Sequence, residues 1–108
     1  MDKGGWVYIM AKRYRGGMYV GVTSDLIRRV WQHREGKGST HVADFDKKRL
    51  VYAERHEEIV SAIAREKLVK KWRRDWKFVL IEAENPDWLD LWEQGNPRVG
   101  VPSGKAEE

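Results

Sequence analysis

The 108-residue chain contains no cysteine, which excludes a disulfide scaffold, a zinc ribbon and a cysteine nucleophile together. No apolar run approaches the roughly 18 residues of a membrane span, and the opening Met-Asp-Lys-Gly-Gly has no signal-peptide pattern. The expectation is a soluble, cytoplasmic domain with no membrane partner. A phosphate-binding glycine loop ending in Lys-Ser/Thr is missing, and so is His-Glu-x-x-His. Ser24, Ser39, Ser61 and Ser103 have no triad context. No internal repeat is present. The length allows one modest core and one domain.

Acidic residues are scarce where basic ones are dense. Residues 1–81 hold 19 Lys/Arg against 10 Asp/Glu, whereas residues 82–108 hold 2 against 7, within a chain of net charge +4. A basic body with an acidic end favours a polyanionic partner, because cations bound to phosphates release counterions. Solvated helix faces are the plainer explanation of the same charge.

Glycine and charge divide the chain into short elements. Trp6 to Met10 is an aromatic and β-branched run, hence a strand, and Met18 to Val22 is a second one across a Gly16-Gly17 turn. Thr23 or Ser24 is placed to cap a helix that Gly36 ends, with Asp25 suited to its positive end. Arg49 to Glu54 reads as a third strand. Glu58 to Trp72 has helical spacing through Ile59, Ile63 and Val69. Asp75 to Glu84 gathers Trp76, Val79, Leu80 and Ala83 on one side. Asn85-Pro86 ends that helix, and Trp88, Leu89, Leu91 and Trp92 suggest a last turn packed back on the core. The expected fold is α+β, a small three-stranded antiparallel sheet flanked by helices in the order β-β-α-β-α-α. The domain spans 1–94 and a flexible polar tail spans 95–108.

Three features point to chemistry. Glu66 falls inside the apolar arc of the second helix, where a bare carboxylate costs too much. It is either half of a salt bridge or a ligand for a hard cation such as Mg²⁺, completed by water and phosphate oxygens. Arg29 and His33 share a face of the first helix beside Leu26 and Val30. Arginine is the preferred phosphate clamp, and His33 is a base, a phosphate donor or a surface histidine. On the strands, Tyr8 shares a face with Trp6 and Met10, and Tyr19 with Gly21. Glycine inside a strand marks a bend or a close approach. The run Arg65 to Lys77 carries 7 Lys/Arg and 2 Asp/Glu around Trp72 and Trp76. Those rings either cover the core, as the spacing favours, or stack on bases.

Val7-Tyr8-Ile9, Tyr19-Val20-Gly21, Asp25 to Arg29 and the later Glu66 together resemble the GIY-YIG nuclease superfamily. The likeness is closest to its small stand-alone members related to the excision-repair incision subunit, and it runs from Trp6 to Trp92. The resemblance implies a DNA endonuclease, with a role in DNA repair, that uses one divalent metal, Mg²⁺ or Mn²⁺. It implies that Tyr8 activates or orients the attacking water, and that Tyr19 shapes the site and relays protons. Arg29 then stabilises the phosphate, His33 matches a helical histidine, Glu66 holds the metal and Gly21 is structural. Arg28, Lys70, Arg73 and Asn85 are the accompanying substrate-binding candidates. The segment His41 to Phe45 departs from the family pattern by gaining Asp44 and losing basic charge, which weakens a nucleic-acid contact there. Single-stranded or branched DNA is the expected substrate, since a domain this small offers little surface for reading a duplex. A non-catalytic nucleic-acid-binding module on the same scaffold is the competing class.

Overall fold

The computed structural model describes residues 4–35 and 47–93. The expected helix stop at Gly36, the 41–46 loop and the polar tail 95–108 lie outside the described residues. Three strands and three helices follow in the order β1 (Gly5–Ala11), β2 (Met18–Thr23), α1 (Leu26–Arg34), β3 (Arg49–His56), α2 (Ile59–Lys71) and α3 (Arg74–Glu82). The sheet is antiparallel with β1 in the middle, in the order β2-β1-β3. This is the α+β architecture expected from the sequence.

The apolar run of β1 has a simple cause: both of its faces are covered. Val7, Ile9 and Ala11 point to one face, where they pack with Val20, Val51, Ala62 of α2, Ile81 of α3 and Trp88. Tyr8 and Met10 point to the other, against Leu26 and Val30 of α1. Val7 through Ala11 have no exposed surface. A strand buried on both sides needs no polar alternation. At the N-terminal end, a Cβ on Gly5 would lie 2.5 Å from Ile59 Cδ1 and 2.9 Å from Ala62 Cβ, so glycine lets α2 sit directly on β1.

Several local expectations are corrected. The α1 cap is Asp25, whose Oδ1 accepts the Arg28 N–H at 3.1 Å, while Thr23 Oγ1 accepts the Asp25 N–H at 3.0 Å. Ser24 has no part in that cap. On α2 the buried positions are Ala62, Glu66 and Val69, and Ile63 is exposed. On α3 the inward residue is Ile81, with Phe78 and Leu80 partly buried, while Trp76 and Val79 face solvent. Two apolar stripes compete on this short helix. The Phe78–Ile81 stripe faces the core because Phe78 meets the buried Trp88 edge-on, ring centroids 5.4 Å apart.

The segment after α3 wraps the open edge of β3. Trp88 enters the α2/α3 side, while Leu91 and Trp92 pack on the α1 side. Between them the Leu91 N–H donates to Leu50 O, and Asp90 Oδ1 accepts the Leu50 N–H. Trp88 adopts a left-handed φ of 56°, held by Arg49 Nη1 on its carbonyl and by its own Nε1–H on Glu82. Arg34 ties α1 to the same segment through Asp90 and Glu93.

Candidate active site

The strand register places Tyr8 directly opposite Gly21. A Cβ on Gly21 would come within 2.5 Å of Tyr8 Oη and 2.6 Å of Cζ, so the missing side chain is the space the phenol ring occupies. Tyr19, two residues earlier on β2, lies on the same face, its ring centroid 6.2 Å from that of Tyr8. From above, α1 contributes Leu26, Val30 and His33 at helical spacing as its buried positions. His33 Nε2 lies 3.1 Å from Tyr8 Oη, and its ring stands 5.0 Å from that of Tyr19.

The Tyr8 hydroxyl is where the remaining groups converge. Burial is the main reason its pKa is held well above that of a free tyrosine. Tyr19 adds to the rise by charge and by a hydrogen bond, Arg29 pulls the other way, and Glu66 pushes up again. Contacts bring Tyr8, Tyr19 and His33 together, and the charges of Arg29 and Glu66 reach the same phenol from α1 and α2. Tyr8 is completely buried and His33 nearly so, whereas Tyr19 and Arg29 are half-buried and form the solvent side of the group.

Glu66 is buried on α2, and its Oε2 accepts from Lys70 Nζ at 2.9 Å, one turn along the helix. Lys70 is half-exposed, so the ion pair lies at the surface end of the carboxylate. Among the described residues no cluster of three or more His, Cys, Asp or Glu is assembled. A single buried carboxylate suits a hard cation that keeps several waters and shares phosphate oxygens.

The other sequence-singled residues divide. Arg28 projects beside Arg29 into a polar cavity of about 380 Å³ with Thr23, Ser24, Asp25 and Gln32. Gln32 was missed in the sequence, though it lies four residues after Arg28 and three after Arg29, on the same helix flank. Arg73 is exposed and lies over Trp76. Asn85 forms a structural clasp. It is buried, donates both amide hydrogens to Val51 O and Leu89 O, and accepts the Leu89 N–H on Oδ1. A further ionisable group, at alternate positions of β3, also escaped notice. Glu54 accepts from Tyr52 at 2.6 Å, from Arg65 of α2 at 3.0 Å, and pairs with His56 at 2.6 Å. This network fastens α2 to the edge strand.

Residues 4–79 match the GIY-YIG catalytic domain. The chain belongs to the GIY-YIG family. The matched stretch contains Tyr8, Tyr19, Gly21, Arg29, His33 and Glu66, and stops before Asn85. This GIY-YIG domain is similar along most of its length to two small proteins from Streptococcus pneumoniae. The UPF0213 protein of serotype 4 strain TIGR4 and that of strain R6 are each 31% identical to it over 87 residues, which is 81% of this chain and 86% of theirs. No solved structure matches. The family implies nucleic-acid endonuclease activity. No helix among the described residues is long and apolar enough to cross a membrane.

Proposed function

We propose that this GIY-YIG domain is a divalent-metal-dependent endonuclease that hydrolyses DNA phosphodiester bonds. Single-stranded or structured DNA is its preferred substrate, DNA repair its setting and the cytoplasm its compartment. One observation carries the reading: His33 Nε2 lies 3.1 Å from the buried Tyr8 hydroxyl, with the Tyr19 ring beside both. A metal held by Glu66, Mg²⁺ or Mn²⁺, supplies charge at the nonbridging phosphate oxygens when bound. Arg29, at the solvent side, binds the same phosphate and offsets the charge that grows on it during attack.

Tyr8 itself is a poor base. It has no exposed surface, and burial holds its proton in place. Tyr8 lies between the Tyr19 ring and His33 Nε2, an order that solves the problem as a relay. A water at Tyr19 gives its proton to the Tyr19 oxygen as its own oxygen bonds to phosphorus. The Tyr19 proton passes to Tyr8, and the Tyr8 proton passes to His33 Nε2. Imidazole ends as imidazolium, both tyrosines stay neutral, and the P–O bond to the leaving oxygen breaks as that oxygen takes a proton from solvent. A neutral imidazole is the side chain suited to take up a proton near neutral pH.

The binding-module reading draws on one fact, the Lys70 ion pair, which already neutralises Glu66. Cleavage of single-stranded, duplex and branched DNA with Mg²⁺ or Mn²⁺ tests the two, with Glu66→Gln alongside. An endonuclease loses cleavage in Glu66→Gln while keeping its fold and most of its DNA affinity. Tight binding without product under every metal favours the module, and an active, metal-dependent Glu66→Gln protein removes Glu66 as the ligand.

A further inference from the structure

The C-terminal end of α2 and the outer side of α3 enclose an apolar groove of about 290 Å³ lined by Trp72, Trp76, Val79 and Leu80. Trp72 leans on the core, but Trp76 is 49% exposed and Val79 is 70% exposed. The two indoles meet edge-on, ring centroids 6.1 Å apart, and both line the groove. Arginines sit over both rings, Arg73 at 5.1 Å from Trp76 and Arg65 at 5.2 Å from Trp72. Exposed Lys71, Arg73 and Arg74 border the same end.

Apolar exposure on this scale needs an occupant, and the rim decides which. The segment 65–77 carries 7 Lys/Arg against 2 Asp/Glu, and Glu66 and Asp75 are both paired within it. A second copy docked about a two-fold axis brings this cationic segment against itself, which like charge opposes. A planar aromatic ring attached to a chain of phosphates satisfies both parts at once. The ring stacks on Trp76, and the phosphates meet the lysines and arginines. The cavity lies near the lower end of small-molecule pocket volumes, suited to one ring system.

We infer that the Trp72–Trp76–Val79–Leu80 groove takes an unpaired base of a single-stranded nucleic acid. The inference rests on the proposed nuclease reading for the polymer it names, and it adds the place where the strand is gripped.

The test uses the full chain in EDTA, so that binding is read without cleavage. Oligothymidylate of about twelve nucleotides, and an abasic oligonucleotide of the same length and charge, are titrated against tryptophan emission and anisotropy. Trp76→Ala is expected to weaken oligothymidylate binding by about 5- to 150-fold, the value of one stacked base. Trp76→Phe keeps most of the affinity, and Trp76→Leu, apolar but unable to stack, does not. The abasic strand binds the parent protein about as weakly as oligothymidylate binds Trp76→Ala. Circular dichroism melts close to the parent's confirm that the variants fold. Equal affinity for parent and Trp76→Ala overturns the inference. So does sedimentation showing that Trp76→Ala dissociates a dimer. Cleavage measured separately keeps the two claims apart: a groove that binds without any cleavage removes the nuclease reading alone, and cleavage with no Trp76 dependence of binding removes the groove alone.

Discussion

Gly21→Ala should damage this protein far beyond what a methyl group in a strand normally does. Two effects oppose each other. Replacing glycine narrows the unfolded ensemble and ordinarily stabilises by about 0.4–1 kcal/mol where the backbone allows it. Gly21 lies in regular strand pairing and has no left-handed φ, so the backbone allows it. Against that, the new Cβ lies 2.5, 2.6 and 2.8 Å from Oη, Cζ and Cε1 of Tyr8. These atoms belong to a stiff ring with no exposed surface, tied at its tip to His33. Overpacking of this kind costs about 1–3 kcal/mol, and three contacts this short place it in the upper half of that range. The net loss is then about 1–2 kcal/mol, or roughly 4–16 °C in Tm for a domain of this size. Any relief by tilting the ring moves Oη away from Nε2, so cleavage falls as well. Thermal melts by circular dichroism and cleavage rates give both numbers. The decisive comparison is a double-mutant cycle with Tyr8→Leu, which removes the three clashing atoms. In that background Gly21→Ala should cost little or nothing. An unchanged melt and full activity in the single variant, or the same penalty with and without the ring, would refute the steric account.

Tyr8→Phe keeps the ring but breaks the relay and removes one hydrogen bond from buried His33. Cleavage should drop by about 10²–10⁴-fold, with about 1–3 kcal/mol of stability lost, read by single-turnover rates and urea melts. Because burial raises the folded pKa of Tyr8, its protonated form contributes stability below the free tyrosine pKa, and this is lost as pH rises through the folded value. Tyrosinate absorbance should therefore show Tyr8 un-ionised at pH 10–11, and a pH–rate limb near neutrality that survives in Tyr19→Phe would contradict the relay. Burial pushes the Glu54 carboxyl up, but hydrogen bonds from Tyr52, His56 and Arg65 outweigh it and hold the pKa below its ordinary value. Its stabilisation is present above the unfolded carboxylate pKa and lost as pH falls through the folded one. Melts from pH 7 down to pH 3 should show a shallower acid loss in Glu54→Gln. Finally, single-strand affinity should fall with the logarithm of salt at a slope of about −0.7 per phosphate contact, and Arg28→Ala should flatten it by about one contact.

Much of the fold could be read from the chain because the physics was local. The run from Val7 to Ala11 needed only two covered faces, and Leu26, Val30 and His33 needed only the helical period. The pair Tyr8 and Gly21 was legible as a tyrosine and a strand glycine on one face, though their direct opposition depends on register, which no single strand encodes. Other features depended on tertiary choice. The α3 helix has two apolar stripes, and only the position of Trp88 selects between them. Asn85 was marked by a family pattern, yet its amide is consumed by carbonyls on β3 and in the following turn. The complete burial of Tyr8 arises from α1, β2 and β1 closing together, and it is the reason for proposing a relay in place of the expected base.

The strap that crosses the β3 edge also sets where this catalytic unit ends. The family match stops at residue 79, yet Ile81, Trp88 and Leu91 complete the packing on both sides of the sheet, and Leu50 gives its backbone to Asp90 and Leu91. A piece cut at the family boundary keeps every proposed catalytic side chain and loses the clamp between layers. It also exposes an unpaired strand edge next to two opened apolar faces, the arrangement that invites aggregation. For transplanting this nuclease-type unit onto another protein, the transferable segment therefore reaches at least Glu93, and a fusion joined nearer to α3 should be insoluble before it is inactive.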